Sequence, residues 1–405
     1  MSLGIEKIDL YAGRLALDVE TLARARGKDT TYVRERLMCE RRSVYPEWED
    51  AVTLGVNAAK GIFSSGTAVD EIGLVLVGTE SAVDFGKPIS NWVHRFCGLS
   101  ANCRALEVKH ACYSLTGALM LALSWVREHG RGKKALVVGA DSSRSHLTDD
   151  SELICGGCAV ALLVSSDAQI LEIDPSASGF WTREIADTFR PTATAEVGDN
   201  QLSLYSYLDA LDGAYQHYES LGTGHTFPDS FKKHIYHAPF PGMAFQAHTA
   251  LSNRNEATER AALRASFAEK VAQGLRFAKQ IGSAYGSSTF LSLLGILAGH
   301  DEVSAGDALS VFAYGSGCQG EFYRAIVGAN AKQRVAALEL DRRIAARIPV
   351  DVATYEAFEH ARQALVDVAD AQPNLEHPLF REAYAGSGLL ALKRINQFRR
   401  EYAWV

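Results

Sequence analysis

The sequence predicts an α/β fold, with a largely parallel sheet covered by helices on both faces. Three observations predict it. Short apolar runs end in small residues, as strands buried on both faces do. Helical patterns separate these runs, and strands joined through helices pair in parallel by right-handed crossovers. At 405 residues the chain is too long for one small core. Two core-forming halves are therefore expected, over residues 1–170 and 171–405.

In chain order, Ile72 to Gly78 (Ile-Gly-Leu-Val-Leu-Val-Gly) is the first buried strand. Cys112 to Glu128 follows as a helix, with Leu115, Leu119, Ala122, Leu123 and Val126 at helical spacing. Ala135 to Ala140 repeats the strand pattern, and Ala159 to Val164 supplies a third. The stretch from about Asp174 to Tyr218 reads as irregular. His234-Ile235-Tyr236-His237 ends a short strand, Asn255 to Gln280 reads as a long helix, and Ser287 to Leu297 as a buried one. Ala308 to Tyr314 is a strand that runs into Gly315-Ser316-Gly317. The halves share an order of strand, polar residue, small-residue turn and helix, which is compatible with an old duplication.

Composition narrows the classes of function. Hydrophobic residues at 47 % and charged residues at 22 % are the balance of a globular protein, which argues against disorder. No window approaches the roughly 18 uninterrupted apolar residues of a membrane span. Met-Ser-Leu-Gly-Ile-Glu-Lys lacks the pattern of a secretory signal, so a cytoplasmic protein is expected. A net charge of −7 speaks against nucleic acid. An acidic protein could still dock on Arg34, Arg36, Arg41 and Arg42, or on Lys393, Arg394, Arg399 and Arg400, although a solvated helix face is the commoner meaning of such groups. Seven cysteines without a secretory signal suggest reduced thiols. Cys155 and Cys158, in Cys-Gly-Gly-Cys, lack the further ligands of a zinc site, and read as small residues packed beside a strand. No metal is expected.

Residues with chemistry gather at strand ends. Cys112 lies in Lys109-His110-Ala111-Cys112-Tyr113-Ser114, where a strand meets a helix. A thiol at a helix N-terminus is expected to have a lowered pKa and to be armed as a nucleophile. The adjacent N–H groups can stabilise an oxyanion. The rival reading, a small buried hydrophobe, is kept for the other six cysteines. His237 closes its strand before a Pro- and Gly-shaped turn at a sheet edge, where α/β sites gather, with His248 as the competing candidate. Glu80 follows the first strand in Gly78-Thr79-Glu80-Ser81, as a base or as a plain helix cap. Gly315-Ser316-Gly317 lets backbone N–H groups approach a ligand.

Taken together these segments resemble the 3-hydroxy-3-methylglutaryl-coenzyme A synthase family of the thiolase superfamily, and most of all its members from bacterial polyketide β-branching. The resemblance runs end to end. It includes Gly78 to Lys87, Lys109 to Ser114, Leu202 to Asp209, Tyr236 to Phe240, Tyr314 to Gly317 and Phe398 to Trp404. It implies a thiolase-like fold of duplicated βαβ halves in five layers, α-β-α-β-α. Cys112 and Glu80 then belong to the first half, and His237 and the Gly315-Ser316-Gly317 turn to the second. By that resemblance Cys112 accepts the acetyl group and Glu80 removes a proton from its methyl. His237 assists acyl transfer and polarises the β-keto oxygen. The N–H groups of Cys112 and Ser316 form the oxyanion hole, beside Gly315, while Ser203, Tyr207 and Asp209 contribute to the pocket. The implied reaction condenses acetyl with a β-ketoacyl thioester to a 3-hydroxy-3-methylglutaryl-type product.

Some positions depart from the family pattern. Leu115 stands where glycine is usual and is expected to narrow the pocket. Ser283, in Gly282-Ser283-Ala284-Tyr285, replaces an asparagine that binds substrate or positions the histidine. Gln201 replaces an acid. No lysine follows the histidine in Pro241 to His248 to hold nucleotide phosphates. Acyl carrier protein, with its phosphopantetheine arm, is therefore expected as donor and acceptor in preference to coenzyme A. No resident cofactor is expected, and the family implies a homodimer paired through an edge strand. Two other readings are a decarboxylating ketoacyl synthase, which needs no base such as Glu80, and a silent partner in a synthase complex.

Overall fold

The computed structural model describes residues 2–144, 147–299 and 303–405. Its main elements, in order, are β1 (Gly4–Tyr11), α1 (Ala51–Ser64), β2 (Ile72–Gly78), α2 (Ile89–Phe96), β3 (Arg104–Val108), α3 (Ser114–Glu128), β4 (Lys134–Ser142) and β5 (Gly157–Ser165). Then come β6 (Leu171–Thr182), α4 (Asn200–Ser220), β7 (Lys233–Tyr236), α5 (Pro241–Ser252), α6 (Arg260–Lys270), α7 (Ser288–Leu297), β8 (Ala308–Gly315) and β9 (Gln319–Val327). Nine strands hydrogen-bond in the order β7-β8-β9-β6-β1-β5-β4-β2-β3. The seam between β6 and β1 is only two residue pairs long, Gly4 with Glu172 and Ile5 with Leu171.

Side-chain alternation explains the layering, because successive residues of a strand face opposite sides. On β2, Leu74 and Leu76 join a central core with Leu115, Leu119 and Leu123 of α3. Val75 and Val77 face the other way, onto Val52, Val56 and Ala59 of α1. On β8, Leu309 and Val311 reach the same central core, which also holds Phe290, Leu294 and Leu297 of α7. Phe312 and Tyr314 face outward onto Tyr207 and Ala214 of α4 and Ala247 of α5. The order is thus α1 and α2, sheet, α3 and α7, sheet, α4 and α5. The apolar helices α3 and α7 lie between the sheets, and the outer helix α1 is itself covered, with Ala51 to Ala59 all buried.

Several expectations change here. Strand β5 pairs antiparallel with β4, because the described part of the connection between them carries only a 3-10 turn at Asp150–Leu153 instead of a crossover helix. The stretch expected to be irregular contains β6, of 12 residues, and α4, of 21. Asp199 caps α4 by accepting from the N–H groups of Gln201 and Leu202, both at 2.9 Å. The buried face of α4 is built from tyrosine, serine and alanine, so its periodicity was masked. The long helix expected over 255–280 is three pieces, α6, a 3-10 turn at Ala272–Arg276 and a short helix at Ala278–Ile281. The break sits where Gly274 and Gly295 cross: a Cβ on Gly295 would lie 2.3 Å from the Gly274 carbonyl. Of the two basic patches, Arg42 is buried with its guanidinium 4.6 Å from the Tyr355 ring centre, and Arg394 and Arg400 are paired with Glu401 and Asp50. No described helix is long and apolar enough to cross a membrane.

Candidate active site

Cys112 sits before α3, not in it. The chain leaves β3 and makes two tight turns, Tyr113 N–H to the His110 carbonyl (3.0 Å) and Ser114 N–H to that of Ala111 (3.2 Å). Ala111 between them has φ +41, a left-handed conformation that costs a non-glycine residue about 1 kcal/mol. The strained turn sets Cys112 beside Glu80, and its thiol donates to Glu80 Oε1 at 3.2 Å. Helix α3 begins two residues later, at Ser114. Burial pushes the Cys112 thiol well above its usual pKa, and the Glu80 carboxylate adds to that. The lowered pKa expected from the sequence is therefore not found, since burial and Glu80 both raise it.

Glu80 is held from two sides. Asp141, the fully buried residue near the end of β4, accepts from Thr79 Oγ1 (2.9 Å), Glu80 N–H (2.9 Å) and Ser81 N–H (3.1 Å). Arg190 comes from the opposite side, with Nη1 2.9 Å from the Glu80 carbonyl and 3.5 Å from Oε2. Burial raises the Glu80 carboxyl to about 7, Arg190 opposes that rise, and Asp141 reinforces it.

His237 follows β7 and is buried. Its ring Nδ1 lies 2.8 Å from Ser288 Oγ, which is also 2.8 Å from the Tyr285 carbonyl. A carbonyl only accepts, so Ser288 satisfies both contacts when it donates to Tyr285 and accepts from His237 Nδ1–H. That tautomer leaves Nε2 as an acceptor. Burial lowers the imidazole to about 3, so the ring is neutral. Tyr207 donates to the His237 carbonyl at 2.7 Å, and its ring packs 5.1 Å from that of Tyr314. His248 is engaged elsewhere, by Tyr236 OH (3.2 Å) and Ser266 Oγ (3.0 Å).

The end of β8 packs against the Cys112 turn. A Cβ on Gly315 would lie 2.5 Å from the Tyr113 nitrogen, so only glycine allows this strand end to touch the nucleophile turn. Tyr113 OH reaches across to Glu321 Oε2 on β9 at 2.5 Å. Asp187, fully buried, accepts from Gly317 N–H and Tyr314 OH, both at 2.9 Å, and fixes the turn that carries Ser316.

The other sequence candidates stand in different surroundings. Asp209 is exposed, because residues two apart on a helix face nearly opposite ways and Tyr207 takes the inner face. Ser203, one turn before Tyr207, is half-buried, and Gln201 is exposed. Ser283 is buried and its N–H donates to the Ile154 carbonyl at 2.7 Å; the hydroxyl bonded to His237 is that of Ser288. Leu115 is wholly buried in the central core, against Gly139 and Gly286. Cys155 and Cys158 are buried free thiols, and a Cβ on Gly156 between them would lie 2.1 Å from the Ile281 carbonyl. Among the described residues no group of three or more His, Cys, Asp or Glu is placed to hold a metal ion.

Sequence reasoning missed Asp141, Arg190, Ser288 and Asp187. Asp141 had a signal, a carboxylate directly after the apolar run Ala135 to Ala140. Arg190 and Asp187 lie in the stretch read as irregular and had none.

Layered sheets enclosing two buried helices, with a cysteine turn between the halves, are the architecture of a thiolase-like enzyme. The Hydroxymethylglutaryl-coenzyme A synthase N terminal profile matches residues 2–169, and the corresponding C terminal profile matches residues 241–404. The chain belongs to the hydroxymethylglutaryl-coenzyme A synthase family. It is 32 % identical over 420 residues to the polyketide biosynthesis 3-hydroxy-3-methylglutaryl-ACP synthase PksG of Bacillus subtilis, with all of both chains covered. The HMG synthase of the curacin biosynthetic pathway has a structure with TM-score 0.95 at 35 % identity, covering 100 % of both chains. That synthase has also been solved with apo, acetyl and holo donor-ACP. MvaS in complex with 3-hydroxy-3-methylglutaryl coenzyme A has TM-score 0.90 at 32 % identity, covering 100 % of this chain and 99 % of that one.

Proposed function

We propose that this enzyme condenses an acetyl group, held as acetyl-Cys112, with a β-ketoacyl group on an acyl carrier protein, giving a 3-hydroxy-3-methylglutaryl-type branched product in polyketide biosynthesis. The single observation that carries the reading is the 3.2 Å contact between Cys112 Sγ and Glu80 Oε1. A carboxylate there lies beside the methyl of an acetyl group on that sulfur, where a carbon-acid base is needed and a decarboxylating synthase needs none.

In the first step the Cys112 thiol gives up its proton, with His237 assisting, and the sulfur attacks the acetyl thioester. The carrier's thiolate leaves and takes that proton. Glu80 then removes a methyl proton, and the enolate carbon bonds to the β-keto carbon of the acceptor. The alkoxide left on the β-keto oxygen takes a proton, with His237 assisting, and becomes the tertiary hydroxyl, which balances the proton that Glu80 removed. The N–H groups of Cys112 and Ser316 stabilise the thioester oxygen as its charge grows. Water finally hydrolyses the Cys112 thioester and frees the product. Gly315, Ser203, Tyr207, Asp209 and Ser283 are retained as proposed substrate-side residues, with Tyr207 best supported by its bond to His237.

Acyl carrier protein is preferred to coenzyme A because the helix after His237, Pro241 to His248, carries no lysine. The donor-ACP complexes of the curacin enzyme support the same choice. A basic docking surface is at hand. A Cβ on Gly242 would lie 1.8 Å from the Arg36 carbonyl, so the segment bearing the exposed Arg34 and Arg36 packs on the first turn of α5. The division at 170/171 is supported by the two-pair seam between sheets. A homodimer is supported by β3, an edge strand with Leu106 half exposed, and light scattering tests it. A cytoplasmic setting is supported by seven free cysteines.

The test is intact-protein mass spectrometry after mixing with acetyl-carrier protein or, separately, acetyl-coenzyme A. The reading expects an acetyl adduct on Cys112 from the carrier protein, absent in Cys112→Ala. Equal or better labelling from acetyl-coenzyme A would assign the enzyme to free coenzyme A substrates, and no label from either donor would overturn the reading.

A further inference from the structure

We propose that Arg190 is a positioning residue for the condensation step: it grips Glu80 by both its backbone carbonyl and its carboxylate, and so holds the base charged and aimed at the acetyl methyl. The inference rests on the reading of Glu80 as that base. It deepens it by assigning control of the base to a residue outside the nucleophile, base and histidine set.

The geometry is that of a clamp. Asp141 fixes the peptide N–H groups of Glu80 and Ser81 from inside, while Arg190 Nη1 takes the Glu80 carbonyl at 2.9 Å and faces Oε2 at 3.5 Å. Arg190 is itself fixed. Its Nε pairs with Glu196 at 2.5 Å, and its guanidinium lies 5.2 Å from the Tyr285 ring centre. Arg144 Nη1 donates to the Thr192 carbonyl at 2.9 Å and to that of Ala193, which ties down the loop between Arg190 and Glu196. The Arg190 side chain is only 10 % exposed, so little water screens its effect on Glu80.

Every charged or titratable group facing Glu80 matters to its protonation. Asp141 and Glu196 disfavour the carboxylate, Cys112 donates to it, and Arg144 and Tyr285 border the group through Arg190. Among the described residues Arg190 is the cation in direct contact. Without it, two neighbouring carboxylates would drive Glu80 further toward its neutral acid, which cannot take a proton from carbon. Tyr285 also links the clamp to the histidine side, since its carbonyl accepts from the Ser288 hydroxyl bonded to His237.

The test uses the full-length enzyme as wild type, Arg190→Gln and Arg190→Lys. Three quantities are measured: acetylation of Cys112 by acetyl-carrier protein, exchange of the bound acetyl methyl protons with deuterium oxide in the absence of acceptor, and the pH profile of condensation with an acetoacetyl-carrier protein. In Arg190→Gln, acetylation is expected to stay within about threefold, while exchange and condensation fall about 100-fold. The rising limb of the pH profile is expected to move about one unit higher, because the lost cation favours the neutral acid. Arg190→Lys keeps the charge, so its limb stays near that of wild type while exchange falls about tenfold from lost positioning. A folded Arg190→Gln enzyme with wild-type exchange and pH limb overturns the proposal. Should Arg190→Gln not fold, wild-type exchange in Arg190→Lys overturns it equally. Absence of acetyl-Cys112 or of condensation in the wild type strikes the functional reading instead, so the two failures are distinguishable.

Discussion

At the scale of single residues the site depends on who holds each proton. Ser288 donates to the Tyr285 carbonyl and accepts from His237 Nδ1, which presents Nε2 toward the chemistry. Ser288→Ala removes that choice of tautomer. Its kcat is expected to fall about 10- to 100-fold, with loss of about 1 kcal/mol of stability, as read by steady-state kinetics and urea unfolding. Glu80 sets the pH dependence. With its carboxyl at about 7, only the ionised form is a base, so condensation rises with pH through neutrality. At pH 6 about a tenth of the Glu80 carboxyls are ionised, and the rate is expected to be about a tenth of its plateau. His237, at about 3, remains neutral over that range and adds no second limb there.

At the scale of elements, the nucleophile turn is positioned by glycines that bring strand ends against it. A Cβ on Gly78, at the end of β2, would lie 2.6 Å from the backbone of Ser114 and Leu115, where α3 begins. Backbone cannot move aside as a flexible side chain can, so Gly78→Ala is expected to cost about 2–4 kcal/mol and to shift the thiol from the base. Chemical denaturation and acetylation of Cys112 measure the two effects. The same scale shows why the sequence was legible in some places and not in others. Strands β2, β4, β5 and β8 are unbroken apolar runs and α3 has a plain helical period, so residue pattern alone locates them. Helix α4 hides its period behind tyrosines and serines. The 255–280 region breaks only because Gly274 must pass Gly295 of α7, a long-range contact that local pattern does not encode.

For the whole molecule, the proposed site draws on residues far apart in the sequence. Cys112 and Glu80 precede β4, His237, Ser288 and the Gly315 turn follow α4, and Tyr113 OH on Glu321 ties the two stretches together. Cys112, Glu80 and His237 could be proposed from the sequence because each lies within two residues of a recognisable element. Arg190 and Asp187 were not, since they reach the site from a loop whose course depends on the packing of β6 and α4. The fold also places exposed Arg34 and Arg36 beside the helix that follows His237. Arg34 is partly neutralised by Glu20 at 2.9 Å, which leaves Arg36 as the better test of carrier docking. Arg36→Glu is expected to raise KM for the carrier protein about tenfold with kcat little changed, and added salt should narrow the difference between the two enzymes.

The central claim is that Glu80 takes a proton from an acetyl group already bonded to Cys112. The most direct measurement is a single-turnover comparison of wild type and Glu80→Gln, mixed with acetyl-carrier protein and then with acetoacetyl-carrier protein, followed by mass spectrometry of enzyme and carrier. The predicted result is acetyl-Cys112 in both enzymes, with condensation slowed by about 1,000-fold or more in Glu80→Gln. Condensation at the wild-type rate in Glu80→Gln would contradict it, and would assign the proton to another base.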